Sequence, residues 1–211
     1  SIIVLDQGFI LGTFVKGFQI TQGHSVLTYT LFTPFNFACG LSLLFGYSLL
    51  AAAWTIAKTV GALQIKMYKI AYISLIAVSI CLMGISLWTP FIDPAIRQIW
   101  FNPNYIYNLA ILPFATGCLI IFCFYCLYKR REAILFWLCF GVFLCAYTGF
   151  GISTWPYLIP HILTVGDAAA PASSLSFMLI GAAILLPILV GYTSYSYYIF
   201  RGKVTEVIGY K

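Results

Sequence analysis

Asp167 is one of only five carboxylates in 211 residues. It lies in a polar stretch, Trp155 to Ser174, set between two long apolar runs, with Pro156, Pro160 and His161 close by. Two compatible readings apply. As a helix N-cap, Asp167 would accept from the amides of Ala168 to Ala170, worth about 1 kcal/mol. As a functional group, it would be a proton-handling or quinone-edge carboxylate near the outer membrane surface. Asp6 and Lys16 fall inside the first apolar run. An ionisable group at mid-membrane costs about 2.5–3.5 kcal/mol, so it should face protein or water. The functional reading is a proton or ion path. The structural reading is a tilted or interfacial helix, with Lys16 snorkelling to the headgroups. Ten residues of helix separate the two by about 15 Å, so they do not pair directly.

Other chemistry is poorly supplied. Haem iron is held most often by His, sometimes with Met. The two histidines, His24 and His161, both fall in connections between apolar runs, and Met67, Met83 and Met178 have no matching histidine. All seven cysteines lie inside apolar runs. Their odd number and placement argue against a disulfide framework. The Cys123–Cys126 pair reads as small packing residues in a helix rather than a metal or redox motif. No Ser/His/Asp set, phosphate loop or metal-ligand cluster is visible. Asp167, Trp155, Lys16 and Asp6 remain as candidate structural or proton-path residues, with no catalytic, cofactor or metal residue assigned.

The elements that must position these residues are membrane helices. The chain is 62% hydrophobic and 8% charged, where an ordinary soluble domain is about 25% charged. Most of its solvent must be lipid, in which every backbone polar group is satisfied internally. The apolar runs are about 20 residues long and do not alternate with period two, which favours helices over barrel strands. The expected fold is an all-α integral membrane protein, a single transmembrane domain over 1–211. It has about six spans: roughly 2–20, 31–57, 70–88, 106–128, 133–153 and 177–200. No internal repeat is apparent.

Basic residues alternate between the connections. Lys58, Lys66 and Lys69 follow the second span, Lys129, Arg130 and Arg131 the fourth, and Arg201, Lys203 and Lys211 the sixth. The other connections hold only Arg97. The positive-inside rule then places the first three groups, and the C-terminus, in the cytoplasm. The net charge of +6 reflects this topology, and no nucleic-acid-binding face is present. Trp54, Trp88, Trp100 and Trp155 sit near proposed span ends, as interfacial aromatics do. The first residue is Ser1 and no signal peptide is visible, which reads as a processed N-terminus or a fragment.

Four ordered stretches resemble those of cytochrome bd ubiquinol oxidase subunit II, including its cyanide-insensitive branch. They are QGFILGTFVKGF (Gln7 to Phe18), TPFNFACGLSLLFGYSLLAAAWTIAKTVGALQ (Thr33 to Gln64), KRREA (Lys129 to Ala133), and ISTWPYLIPHILTVGDAAAP continuing through SFMLIGAAILLPILVGYTSYSYYIFRGKV. The resemblance covers nearly the whole chain. It implies a partner of the haem-bearing subunit I in the bacterial cytoplasmic (inner) membrane. It also implies a complex that oxidises quinol from the quinone pool and reduces dioxygen to water in aerobic respiration. Haem b and a d-type haem, or b-type haem only, would belong to the partner, and this chain would bind none directly. Its implied part is assembly and proton supply. The family opens with three further helices and an acidic glycine motif that have no counterpart here. On this resemblance the chain looks like the last six of about nine helices. A secondary transporter or channel is the alternative reading, and a membrane scaffold without a redox role is a third. A transporter needs a midplane polar site, often on a broken helix. Pro34, Pro113 and Pro187 are candidate breaks, although Pro34 stands near a helix start, where proline is tolerated.

Overall fold

The structure is a computed structural model that describes residues 2–16, 20–21, 24–25, 32–92, 94–101, 106–159, 163–200 and 202–203. In chain order the helices are α1 (Ile2–Lys16), α2 (Pro34–Lys58), α3 (Ala62–Ile92), α4 (Pro94–Trp100), α5 (Ile106–Tyr128), α6 (Glu132–Thr154) and α7 (Ala172–Ile199). Two short antiparallel hairpins interrupt them, β1 (Ile20–Thr21) with β2 (His24–Ser25) and β3 (Tyr157–Ile159) with β4 (Leu163–Thr164). The chain is an all-α membrane protein. Among the described residues five helices, α2, α3, α5, α6 and α7, are long and apolar enough to cross a bilayer.

The observed boundaries shift several expectations. Helix α1 is described over Ile2–Lys16, 15 residues or about 22 Å. Residues 17–19 of the expected first span lie outside the described residues. Helix α3 starts at Ala62, eight residues before the expected 70, because Gly61 makes the turn with φ +77°. Lys66 and Lys69 therefore stand on its first turns and not in a loop. The expected long connection after α3 contains α4. Helix α7 starts at Ala172, ahead of its apolar run. Ser174 and Leu175 donate their backbone N–H groups to the Pro171 carbonyl, 2.9 and 3.1 Å away, so polar residues form the first turn. Pro34 does begin α2, with Thr33 as N-cap accepting from the Asn36 N–H at 3.3 Å. Pro113 and Pro187 lie inside α5 and α7, and both helices continue through them.

Packing follows small side chains. Leu49, Ala52, Ala53 and Ile56 of α2 meet Ala71 and Leu75 of α3, Cys123 and Leu127 of α5, and Leu135 and Cys139 of α6. The thiols of Cys123 and Cys139 stand 3.9 Å apart, so the buried neighbour of Cys123 is on the facing helix. Helix α1 lies along α2 through Gly8 and Gly12. A Cβ on Gly8 would fall 2.3 Å from the Gly40 Cα, and one on Gly12 would fall 2.8 Å from the Asn36 Cα. This is the close backbone approach that small residues four apart permit in membranes. A second, smaller cluster of Val15, Phe35 and Ile96 joins α1, α2 and α4.

Candidate functional site

Helix α6 runs from Glu132 to Thr154, so its two ends mark the two ends of the bundle. At the Thr154 end lies the stretch singled out by Asp167. The Val165 N–H donates to the Pro156 carbonyl at 3.0 Å, closing the β3–β4 hairpin and bringing Trp155–Pro156 beside the turn that carries Asp167. Asp167 does not cap α7, whose N-cap is Pro171. Its partner lies on the other side. The Thr164 hydroxyl donates to Asp167 Oδ2 at 2.6 Å, the Asp167 N–H donates back to Thr164 Oγ1 at 3.2 Å, and Ala168 N–H reaches the Thr164 carbonyl at 3.1 Å. The sequence Thr-x-x-Asp thus closes a single helical turn, a relative of the capping box, because threonine three residues upstream offers both donor and acceptor. Both Asp167 and Trp155 are exposed. At the same end Trp100 Nε1 donates to Ser153 Oγ at 3.0 Å, tying α4 to α6.

Asp6 and Lys16 are exposed on α1 at separate positions, and the structure does not bring them to Asp167 or to each other. The polar group buried at α1 is a different one. Asn36 Nδ2 donates to Thr13 Oγ1 at 2.8 Å, and the Thr13 hydroxyl donates to the Phe9 carbonyl at 2.9 Å. Both side chains are buried. The sequence signal was an asparagine directly after a helix-starting Thr-Pro-Phe, opposite a Gly-Thr pair.

The Glu132 end holds a polar junction that reading for motifs missed. Gln64 Nε2 donates to Glu132 Oε1 at 2.9 Å and to the Ile56 carbonyl at 3.0 Å. Lys203 forms an ion pair with Glu132 Oε2. Lys58 reaches the Phe200 carbonyl at 3.4 Å and lies over the Trp54 ring, 5.2 Å from its centroid. Trp54 meets Tyr197 edge-on at 5.5 Å. With both oxygens engaged, Glu132 fastens the α2–α3 turn, the start of α6 and the segment after α7. The only hint in sequence was a carboxylate directly after Lys-Arg-Arg.

The donor chemistry for haem does not fit these helices. None of them contains a histidine, His161 lies outside the described residues, and the His24 backbone is in β2. Met83 and Met178 are exposed, while Met67 packs against the core. Among the described residues no three His, Cys, Asp or Glu side chains gather to hold a metal ion.

A comparison with curated proteins finds no match. A family model described as cytochrome bd terminal oxidase subunit II matches residues 1–200. That match takes in all seven helices, the Gly8–Gly40 crossing, the Glu132 junction up to Phe200 and the Asp167 turn, and this chain of membrane helices belongs to the cytochrome bd terminal oxidase subunit II family.

Proposed function

We propose that the chain acts as subunit II beside a haem-bearing subunit I, in a terminal oxidase that oxidises quinol and reduces dioxygen to water in a bacterial cytoplasmic membrane. Membership of the family implies a place in a haem-containing oxidoreductase complex with a partner oxidase subunit. The match over residues 1–200 is the observation that carries the reading. The lack of haem-ligating side chains on the described helices supports assigning the haems, and with them the redox chemistry, to the partner. In this reading the chain crosses the membrane about six times. The Glu132 end faces the cytoplasm with Lys58, Lys66, Lys69 and the Lys129–Arg131 turn, as the positive-inside rule requires. The chain supports assembly and a route for protons toward the partner.

Reduced-minus-oxidised spectra test the assignment. The chain expressed alone is expected to carry no stoichiometric haem, and the co-expressed pair to carry all of it. Stoichiometric haem on the chain alone would overturn the reading.

A further inference from the structure

The turn between α5 and α6 carries charge on an uncommon backbone. The Arg131 N–H donates to the Cys126 carbonyl at 2.9 Å and the Arg130 N–H to the Leu127 carbonyl at 3.4 Å, the pair of bonds of a Schellman closure. Glycine usually occupies the left-handed position of that closure, since a side chain there is strained. Here the position is Arg130, with φ +53°. Its guanidinium carbon lies 5.5 Å from the centroid of the Tyr68 ring on α3. The Tyr68 Oη is buried and, among the described residues, has no hydrogen-bond partner. Lys129, Arg131 and Lys69, the sequence neighbours of this pair, are exposed, and Lys129 lies over the Tyr128 ring, 5.5 Å from its centroid. The nearest described carboxylate, Glu132, is already held by Lys203 and Gln64.

We propose that Arg130 and Tyr68, with the flanking cations, form a binding site for the phosphate headgroup of an anionic phospholipid. A guanidinium stacked on a ring keeps its N–H edge available for two phosphate oxygens. The Tyr68 hydroxyl, buried in the lipid-free structure, supplies a further donor once the exposed Arg130 side chain lifts to admit the headgroup, and a phosphate oxygen is the acceptor it lacks. The site stands at the ends of two membrane helices, the depth at which lipid phosphates lie. Beneath it Tyr72 and Tyr125 present exposed faces along which acyl chains can lie. Membrane topology alone would be served by any basic residue in this turn. It requires neither a strained arginine nor its placement over the Tyr68 ring, and strain retained at one residue points to a use for that side chain.

Native mass spectrometry and thermal melting of the detergent-purified complex test the site, with titration by phosphatidylglycerol, phosphatidylcholine or inorganic phosphate. The readout is lipid retention, so it stands whether or not the complex turns over quinol. Phosphatidylglycerol is expected to be retained and to raise the melting temperature, whereas the other two have little effect. Arg130→Gly relieves the backbone and should fold at least as well, yet weaken phosphatidylglycerol retention about fivefold. Tyr68→Phe, which keeps the stack, should fall between that variant and the original. Lys66→Gln removes a charge two residues before Tyr68, about 200° round the helix, and should change retention little. Equal retention by Arg130→Gly, equal weakening by Lys66→Gln, equal retention of phosphatidylcholine, or an equal melting shift with inorganic phosphate would each overturn the proposal.

Discussion

Helices α3 and α7 are equally apolar over their most hydrophobic windows, yet they lead different lives in the fold. Helix α3 buries Ala71, Ser74, Leu75 and Val78, a stripe at helical spacing, and its Ala71 and Leu75 belong to the core shared with α2, α5 and α6. Helix α7 buries no residue at all. Among the described residues it is fastened near its C-terminal end, where Tyr197 meets Trp54, the Phe200 carbonyl meets Lys58, and Lys203 meets Glu132. In water such a helix would be driven onto the bundle. In lipid the tails are as apolar as leucine, so hydrophobicity does not distinguish packed from unpacked faces, and fit between surfaces decides. Gly8 finds Gly40, whereas a Cβ on Gly181 or Gly191 of α7 would meet nothing within 4 Å.

The comparison can be broken first at its tightest point. Gly8→Ala places a Cβ 2.3 Å from the Gly40 Cα, and relief requires the two backbones to part. A loss of about 1–3 kcal/mol is expected in reversible unfolding in mixed micelles. The same change at Gly181 should be neutral or slightly stabilising, since alanine is the better helix former. A matched pair of leucines sharpens the contrast. Leu75→Ala leaves a cavity among four helices and should cost on the order of 1–2 kcal/mol, below the usual range for soluble cores because the transfer contribution is small in lipid. Leu186→Ala on α7 should leave the unfolding midpoint of the isolated chain unchanged. Equal costs at the two leucines would mean that α7 is packed in this chain after all.

Glu132→Gln tests the fastening of α7. The ion pair is partly exposed, so its contribution is at most about 1 kcal/mol, and global stability should barely move. Protease cleavage after Lys203 should nevertheless accelerate, because the segment loses its charged anchor. Unchanged cleavage would place the hold at Trp54 and Lys58 instead. The smallest effect is expected at Asp167→Ala. It removes the Thr164 partner on an exposed turn, a change typically within about 0.5 kcal/mol. Complex yield should fall slightly while the turnover of assembled complex stays the same. Normal assembly with abolished turnover would instead make Asp167 a working carboxylate.

The long helices were legible in sequence because in lipid length and apolarity are sufficient conditions. The runs read at 106–128 and 133–153 agree with α5 and α6 within one residue at either end. Boundaries set by hydrogen bonding were less visible. Lys66 and Lys69 lowered the apolar signal at the start of α3, although a helix that has left the hydrocarbon tolerates lysines freely. Asp167 preceded three alanines and so had the form of an N-cap, but Thr164 was equally placed to hold it and Pro171 starts the helix. The Glu132 junction was hidden for a different reason. Gln64, Glu132 and Lys203 are far apart in the chain, and no local pattern marks a contact that only the packing of α2, α3 and α6 creates.

Helix α3 carries a last implication. Its 31 residues extend about 46 Å at 1.5 Å per residue, against a hydrocarbon thickness of about 30 Å. The surplus on its lysine-bearing first turns reaches through the headgroup layer, and any remaining mismatch has to be taken up by tilt or by local thickening of the bilayer. Because α2, α4 and α5 pack against it, and α6 shares the same core cluster, a tilt of α3 is shared by the bundle. Membrane thickness would thereby act mechanically on this chain through the longest of its described helices.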